Sequence, residues 1–125
     1  MTNSAPPYRA DIRRGEIYWL DWSPSRGSEI AGIRPALVIA TDHSNANDRY
    51  PNTIVVAMSN QGSARILTHL EVQPSASNGL TGVTYVKAEQ IITVDKSRLG
   101  KRLGQLSSQE MARVDVLLKR AQGLR

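Results

Sequence analysis

The chain contains neither cysteine nor phenylalanine. The first absence removes structural disulfides, a thiolate nucleophile and any cysteine-held zinc or iron–sulfur centre. The second leaves a core that must be built from Val, Ile, Leu and Ala, with two Trp and four Tyr as the only large rings. Long hydrophobic runs are missing too. No stretch approaches the ~20 apolar residues of a membrane span, and the opening MTNSAPPYRADIRR lacks an apolar centre of signal-peptide length. A free protein of the reducing cytoplasm is expected. Histidine is scarce: His43 and His69 are the only two, and neither has a second histidine at zinc-site spacing. The segment DHSNAND gathers Asp42, His43 and Asp48 but lacks the order of oxygen ligands and glycine found in calcium loops, so it reads as a solvated loop. No metal and no cofactor are expected.

What is present fits one domain. At 125 residues, 40% hydrophobic and 22% charged, the chain has an ordinary globular composition. Residues 1–12 read as a flexible, Pro-containing tail, and 13–125 as a single domain. The charge is uneven: residues 1–62 hold six Lys/Arg against six Asp/Glu, whereas 63–125 hold ten against five, so the whole net charge of +5 lies in the second half. Such a surplus favours a polyanion or an acidic partner.

Apolar patterning is dominated by short strands. EIYWLDW (16–22) is apolar on both faces, as in a strand covered on two sides. RPALVIAT (34–41) opens on Pro35, tolerated at the first position of a strand, and TIVVAMS (53–59) is a second buried run. In THLEVQ (68–73), Thr68, Leu70 and Val72 alternate with His69, Glu71 and Gln73, the pattern of a half-buried strand that puts His69 on the polar side. VTYVKA and IITV read as two further strands around Glu89-Gln90, and RLGKRLGQL as an edge piece. Asn78-Gly79 marks the sharpest turn. Ser107 and Glu110 form a capping box ahead of a final helix. Its core face is Met111, Val114, Leu117, Leu118 and Ala121; Arg113, Lys119 and Arg120 stay in water, and Gly123 stops it. Six or seven short strands and one C-terminal helix make a mainly β (α+β) fold, a small antiparallel barrel or strongly curled sheet with the helix laid against it.

Between the first two strands lies an unusually long Ser/Gly loop, 23–32, of the length that serves as a lid or binding loop. Arg34 stands at its end. Pro35 holds the Arg34 backbone extended, which suits either a phosphate clamp or an ion pair with Glu29 or another loop carboxylate. Ser59 ends a buried strand before the break NQG, where its hydroxyl faces a site or closes a turn. Lys96, Arg98, Lys101 and Arg102 form the densest basic string, fit to track phosphates or simply to be solvated.

The order of RGEIYWLDWSPSRGSEIAGIRPALVIA, TIVVAMSNQ, THLEV and GVTYVKAEQIITVDKSRLGKRLGQLS before a final helix resembles the MazF/PemK toxins, the ribonuclease half of bacterial toxin–antitoxin pairs, over about residues 13–122. That resemblance implies an SH3-like barrel and a homodimer. It implies metal-independent cleavage of single-stranded RNA, leaving 2′,3′-cyclic phosphate and 5′-hydroxyl ends, and silencing by an acidic MazE-like antitoxin. By position Arg34 matches the family's catalytic arginine. Ser59 stands where many members carry threonine, Ser28 and Glu29 match the loop pair, and Ile30 replaces a common glutamine, which bears on the RNA motif read. Arg34, Ser59 and Glu29 are thus the expected catalytic residues, with Glu29 or Arg34 itself as proton acceptor. Ser28, His69, Gln90, Lys96 and Arg98 are the expected RNA contacts. The rival expectation is a non-enzymatic toxin of the same fold that binds a topoisomerase; a blander one is an idle RNA-binding dimer.

Overall fold

A computed structural model describes residues 7–24 and 26–125. Its strands are β1 (Glu16–Asp21), β2 (Ile33–Val38), β3 (Asn52–Ser59), β4 (His69–Val72), β5 (Thr84–Asp95) and β6 (Arg102–Gln105), with α1 (Asp42–Asn45) between β2 and β3 and α2 (Ser108–Gln122) at the end. They form one curled antiparallel sheet in the order β4-β5-β3-β2-β1-β6. The mainly β architecture expected from the sequence is the one adopted.

Period-two alternation divides the apolar residues between two cores, one on each face of the sheet. Ile17, Leu37, Val56, Met58 and Val86 face α2, which contributes Met111, Val114, Leu117 and Leu118. Tyr18, Leu20, Trp22, Ala36, Val38, Val55 and Ala57 face the other way, joined by Ile12, Val94 and Leu99. The double-sided apolarity of 16–22 is explained by this arrangement. Each fully buried aliphatic side chain of α2 contributes up to about 2–3 kcal/mol, far more than the helix gains from propensity alone. Its start is set as the sequence predicts. Ser107 Oγ accepts the Glu110 N–H at 3.0 Å while Glu110 Oε1 accepts the Ser107 N–H at 2.9 Å, and Gly123 ends the helix at φ 70°.

Three features differ from the sequence reading. VTYVKA and IITV are one 12-residue strand, β5, because Ala88, Glu89 and Gln90 are absorbed as a bulge: Lys87 pairs with Ala57, but the next pair is Ile91 with Val56. Segment 42–51 contains the short helix α1, its Thr41 cap accepting from His43 N–H, and Asp42 there is engaged by Arg14 N–H and Asn45. Of the expected tail, residues 1–6 lie outside the described part, while Tyr8, Arg9 and Ile12 are held against the rest of the domain. Ile12 is fully buried, Tyr8 N–H donates to Asp48 O, and the Arg9 guanidinium sits 5.3 Å from the centre of the Tyr18 ring. Beneath it Glu16 accepts from Tyr18 Oη (2.9 Å), Arg13 N–H (2.6 Å) and Arg102 Nε (2.7 Å). Burial and the Glu16 carboxylate push the Tyr18 pKa up to about 12, so its hydroxyl stays a donor. Among the described residues no helix is long and apolar enough to cross a membrane.

Candidate active site

The β2–β3 ladder runs through Val38↔Val55, Leu37↔Val56 and Ala36↔Ala57. Two residues beyond the last pair the same register brings Arg34 and Ser59 level, and both line one hollow of about 280 Å³. Arg34 is pinned from the opposite side by pairing with Leu20 of β1. Its guanidinium is exposed, makes one long hydrogen bond to Ile33 O (3.4 Å), and has no carboxylate partner among the described residues. The two readings left open for Arg34 are thereby separated, since no ion pair with Glu29 forms. A guanidinium fixed at its base and free at its tip is available to a phosphate.

Ser59 is 3% exposed; its Oγ accepts the Gln61 N–H at 3.0 Å and so closes the turn after β3, the residue is among those that line the hollow, and its O–H has no acceptor among the described residues. The floor of this hollow comes from residues 79–81, which sequence reasoning registered only as a turn. Asn78 is 2% exposed there; its Oδ1 accepts from Ser75 and Leu80 N–H, and its Nδ2 donates to Gln73 O. Gly79, at φ 68°, lies so close to the Leu103 carbonyl that a Cβ would collide with it. Asn60, Thr81 and Thr84 add polar groups to the wall, positions for which no motif gave a signal. Among the described residues neither carboxylate nor histidine lines it.

A second and larger hollow, about 560 Å³, opens between residues 22–24 and 28–30 on one side and the bulge of β5 on the other. Ser28, Glu29, Gln90 and Arg98 all line it, so four expected functional residues converge here rather than around Arg34. Glu29 Oε1 accepts the Arg26 N–H at 2.5 Å. Gln90 Oε1 accepts the Ile30 N–H at 2.9 Å and ties the loop to the sheet, while Arg98 Nη2 donates to Asp21 O at 2.7 Å.

Two expectations require correction. His69 is buried rather than presented on a polar face, because Glu89, extruded by the β5 bulge, reaches its Nε2 at 2.9 Å while Ser63 N–H donates to its Nδ1 at 3.4 Å. It lines a third hollow, against α2, with Leu117 and Arg120. Burial raises the Glu89 pKa, but the hydrogen bonds from His69 and Thr68 outweigh it and hold the carboxyl below its ordinary range. Lys96 is only 1% exposed, with Nζ donating to Ser44 O (3.0 Å) and Asn47 O (2.9 Å). Burial lowers its pKa. This ammonium fastens the loop after α1 and is not free for RNA.

Arg34 and Ser59, the pair to which the resemblance assigns catalysis, line one hollow at neighbouring strand ends. The profile of the PemK-like, MazF-like toxins of type II toxin–antitoxin systems matches residues 13–121. This chain belongs to that family. Endoribonuclease MazF of Staphylococcus epidermidis is 39% identical to this MazF-like toxin over 115 residues, 90% of this chain and 92% of that protein. A mycobacterial endoribonuclease solved with its cognate antitoxin superposes with a TM-score of 0.74 at 27% identity, covering 91% of this toxin and 97% of that chain. MazF from Deinococcus radiodurans shares the fold, with a TM-score of 0.72 at 24% identity over 90% of this toxin and 97% of that chain.

Proposed function

We propose that this MazF-like toxin is an endoribonuclease that cuts single-stranded RNA at short sequence motifs without a metal ion. The 2′-hydroxyl beside the scissile bond attacks the adjacent phosphorus, the P–O5′ bond breaks, and 2′,3′-cyclic phosphate and 5′-hydroxyl ends result. Because the nucleophile belongs to the substrate, the protein has only to align it and stabilise the charge that develops on the phosphate. Arg34 holds that phosphate, and the free O–H of Ser59 donates a second hydrogen bond. The observation that carries this reading is the unpaired Arg34 guanidinium beside the Ser59 hydroxyl in one hollow.

The proton acceptor is then not Glu29, which lines the other hollow. Arginine, with a pKa above about 12, is a weak base at neutral pH, so solvent takes the 2′-hydroxyl proton and returns one to the 5′-oxygen. Ser28, Gln90 and Arg98 contact the RNA flanking the cut. The protein acts in the cytoplasm as a homodimer and is silenced by an acidic antitoxin drawn to the basic second half of the chain.

Incubation of the protein and of Arg34→Ala with long single-stranded RNA in excess chelator, followed by mapping of the ends, tests this. Discrete cuts by the parent alone, with 5′-hydroxyl ends, are expected. Absence of cleavage with or without magnesium would overturn the reading in favour of a toxin that binds a topoisomerase.

A further inference from the structure

The larger hollow carries a group that the cleavage chemistry leaves unused. Trp22 is 6% exposed, and its indole Nε1–H is the one buried side-chain polar atom without a hydrogen-bond partner among the described residues. The buried Asn45, Asn78 and Lys96 are all engaged, so the molecule otherwise meets the rule that buried donors are paired. An orphaned donor in the wall of a cavity calls for an acceptor from outside.

The neighbouring groups define that acceptor. Gln90 must turn its Oε1 to the Ile30 N–H, which fixes the amide and leaves its Nε2 donors without a protein acceptor among the described residues. Arg98 has committed only Nη2. Glu29 has committed only Oε1, to Arg26 N–H. The hollow thus offers donors from Gln90 and Arg98, one free carboxylate oxygen from Glu29, and apolar walls from Ile30 and Ile92, with the unpartnered Trp22 indole N–H shielded within the side chain that forms part of its wall.

We propose that this hollow is a base-reading subsite and that Trp22 is a specificity-determining residue, its indole N–H donating to the carbonyl of a keto base, uracil or guanine. The assignment rests on the endoribonuclease reading. Uracil and guanine both present a carbonyl next to a ring N–H, matching donors beside a single acceptor. Cytosine and adenine place an amino group where that carbonyl would be and meet donors with a donor. Single-stranded RNA is read in this way, by unstacked bases hydrogen-bonded on their edges and held between apolar surfaces. In the closed form the Trp22 nitrogen is shielded. The base reaches it as the chain at Ser28–Ile30 parts from β5, where the one hydrogen bond between them among the described residues is Ile30 to Gln90.

Trp22→Phe keeps a large ring and removes the donor. A randomised single-stranded RNA pool is cut by parent and variant and the sites sequenced; in parallel, the uncut pool is selected for binding to Arg34→Ala with and without Trp22→Phe. The expected result is a U or G preference at one fixed position, weakened about tenfold by Trp22→Phe in both arms, with no loss of thermal stability because the lost N–H had no partner. Gln90→Glu keeps the acceptor for Ile30 and replaces the donors, and it shifts preference at the same position toward C and A; this variant decides the matter if Trp22→Phe fails to fold. An unchanged preference in the variants, or a parental preference for C or A at every read position, overturns the proposal. If nothing is cut, the ribonuclease reading fails and the binding arm alone decides the subsite.

Discussion

The two hollows differ in how their walls are held. The one containing Arg34 and Ser59 is framed by strands in fixed register and floored by a turn that Asn78 locks with three hydrogen bonds. The one containing Gln90 and Arg98 has a sheet on one side and, on the other, a Ser/Gly-rich segment tied across to β5, among the described residues, by a single hydrogen bond. Charge stabilisation in a transition state demands groups already in place, whereas recognition of a flexible strand tolerates a wall that closes afterwards. Under the proposed function, the contrast assigns the long loop to the reading of RNA and the strand ends to its cleavage.

The largest effect that sharpens this division is expected from Arg34→Ala. Cleavage falls about 10³-fold, the scale for losing a preorganised charge-stabilising donor, while circular dichroism and the melting temperature stay at parental values because the side chain is exposed. Ser59→Ala follows, lowering the single-turnover rate roughly 10- to 100-fold for one lost hydrogen bond to the phosphate and one unpaired Gln61 N–H. Ser59→Thr, which restores the hydroxyl, stays close to parental activity. On the other side of the division, Gln90→Ala raises KM about fivefold with kcat little altered, and amide exchange across 26–32 accelerates, since the tie released is worth about 1 kcal/mol.

Glu29→Gln would break the comparison if it mattered to chemistry. The expected pH–rate profile keeps the parental shape, and a lost acidic limb would return Glu29 to the role of base. Smallest of all is a stability effect. Because hydrogen bonds hold the Glu89 carboxyl below its ordinary range, its contribution is full above its unfolded pKa and fades as pH falls through the folded one. The difference in melting temperature between the parent and Glu89→Gln therefore narrows in acid, below about pH 4.

Much of this was legible in the chain. β1 to β3 announce themselves because their central residues are buried on both faces and so form apolar runs, and α2 because its cap and its apolar stripe agree. The Arg34–Pro35 pair was readable for the same reason, a restrained backbone at the mouth of a buried run. What escaped was set by distant partners. β5 looks broken because its bulge interrupts the alternation at Ala88–Gln90. His69 looks exposed because period-two alternation cannot foresee that Glu89, 20 residues away in sequence, will cover it. Trp22 reads as core or interface, and only its unanswered nitrogen marks it out.

Lys96 gives the molecule a built-in reporter. The sequence holds four lysines, and Lys101 and Lys119 stand in solvent, whereas Lys96 is sealed under the carbonyls of Ser44 and Asn47. An amine-reactive label applied to the folded toxin will mark the exposed lysines at once and Lys96 only when the segment around α1 detaches. The labelling rate at that single position is then a clock for the opening of this end of the sheet, readable by mass spectrometry without any substitution.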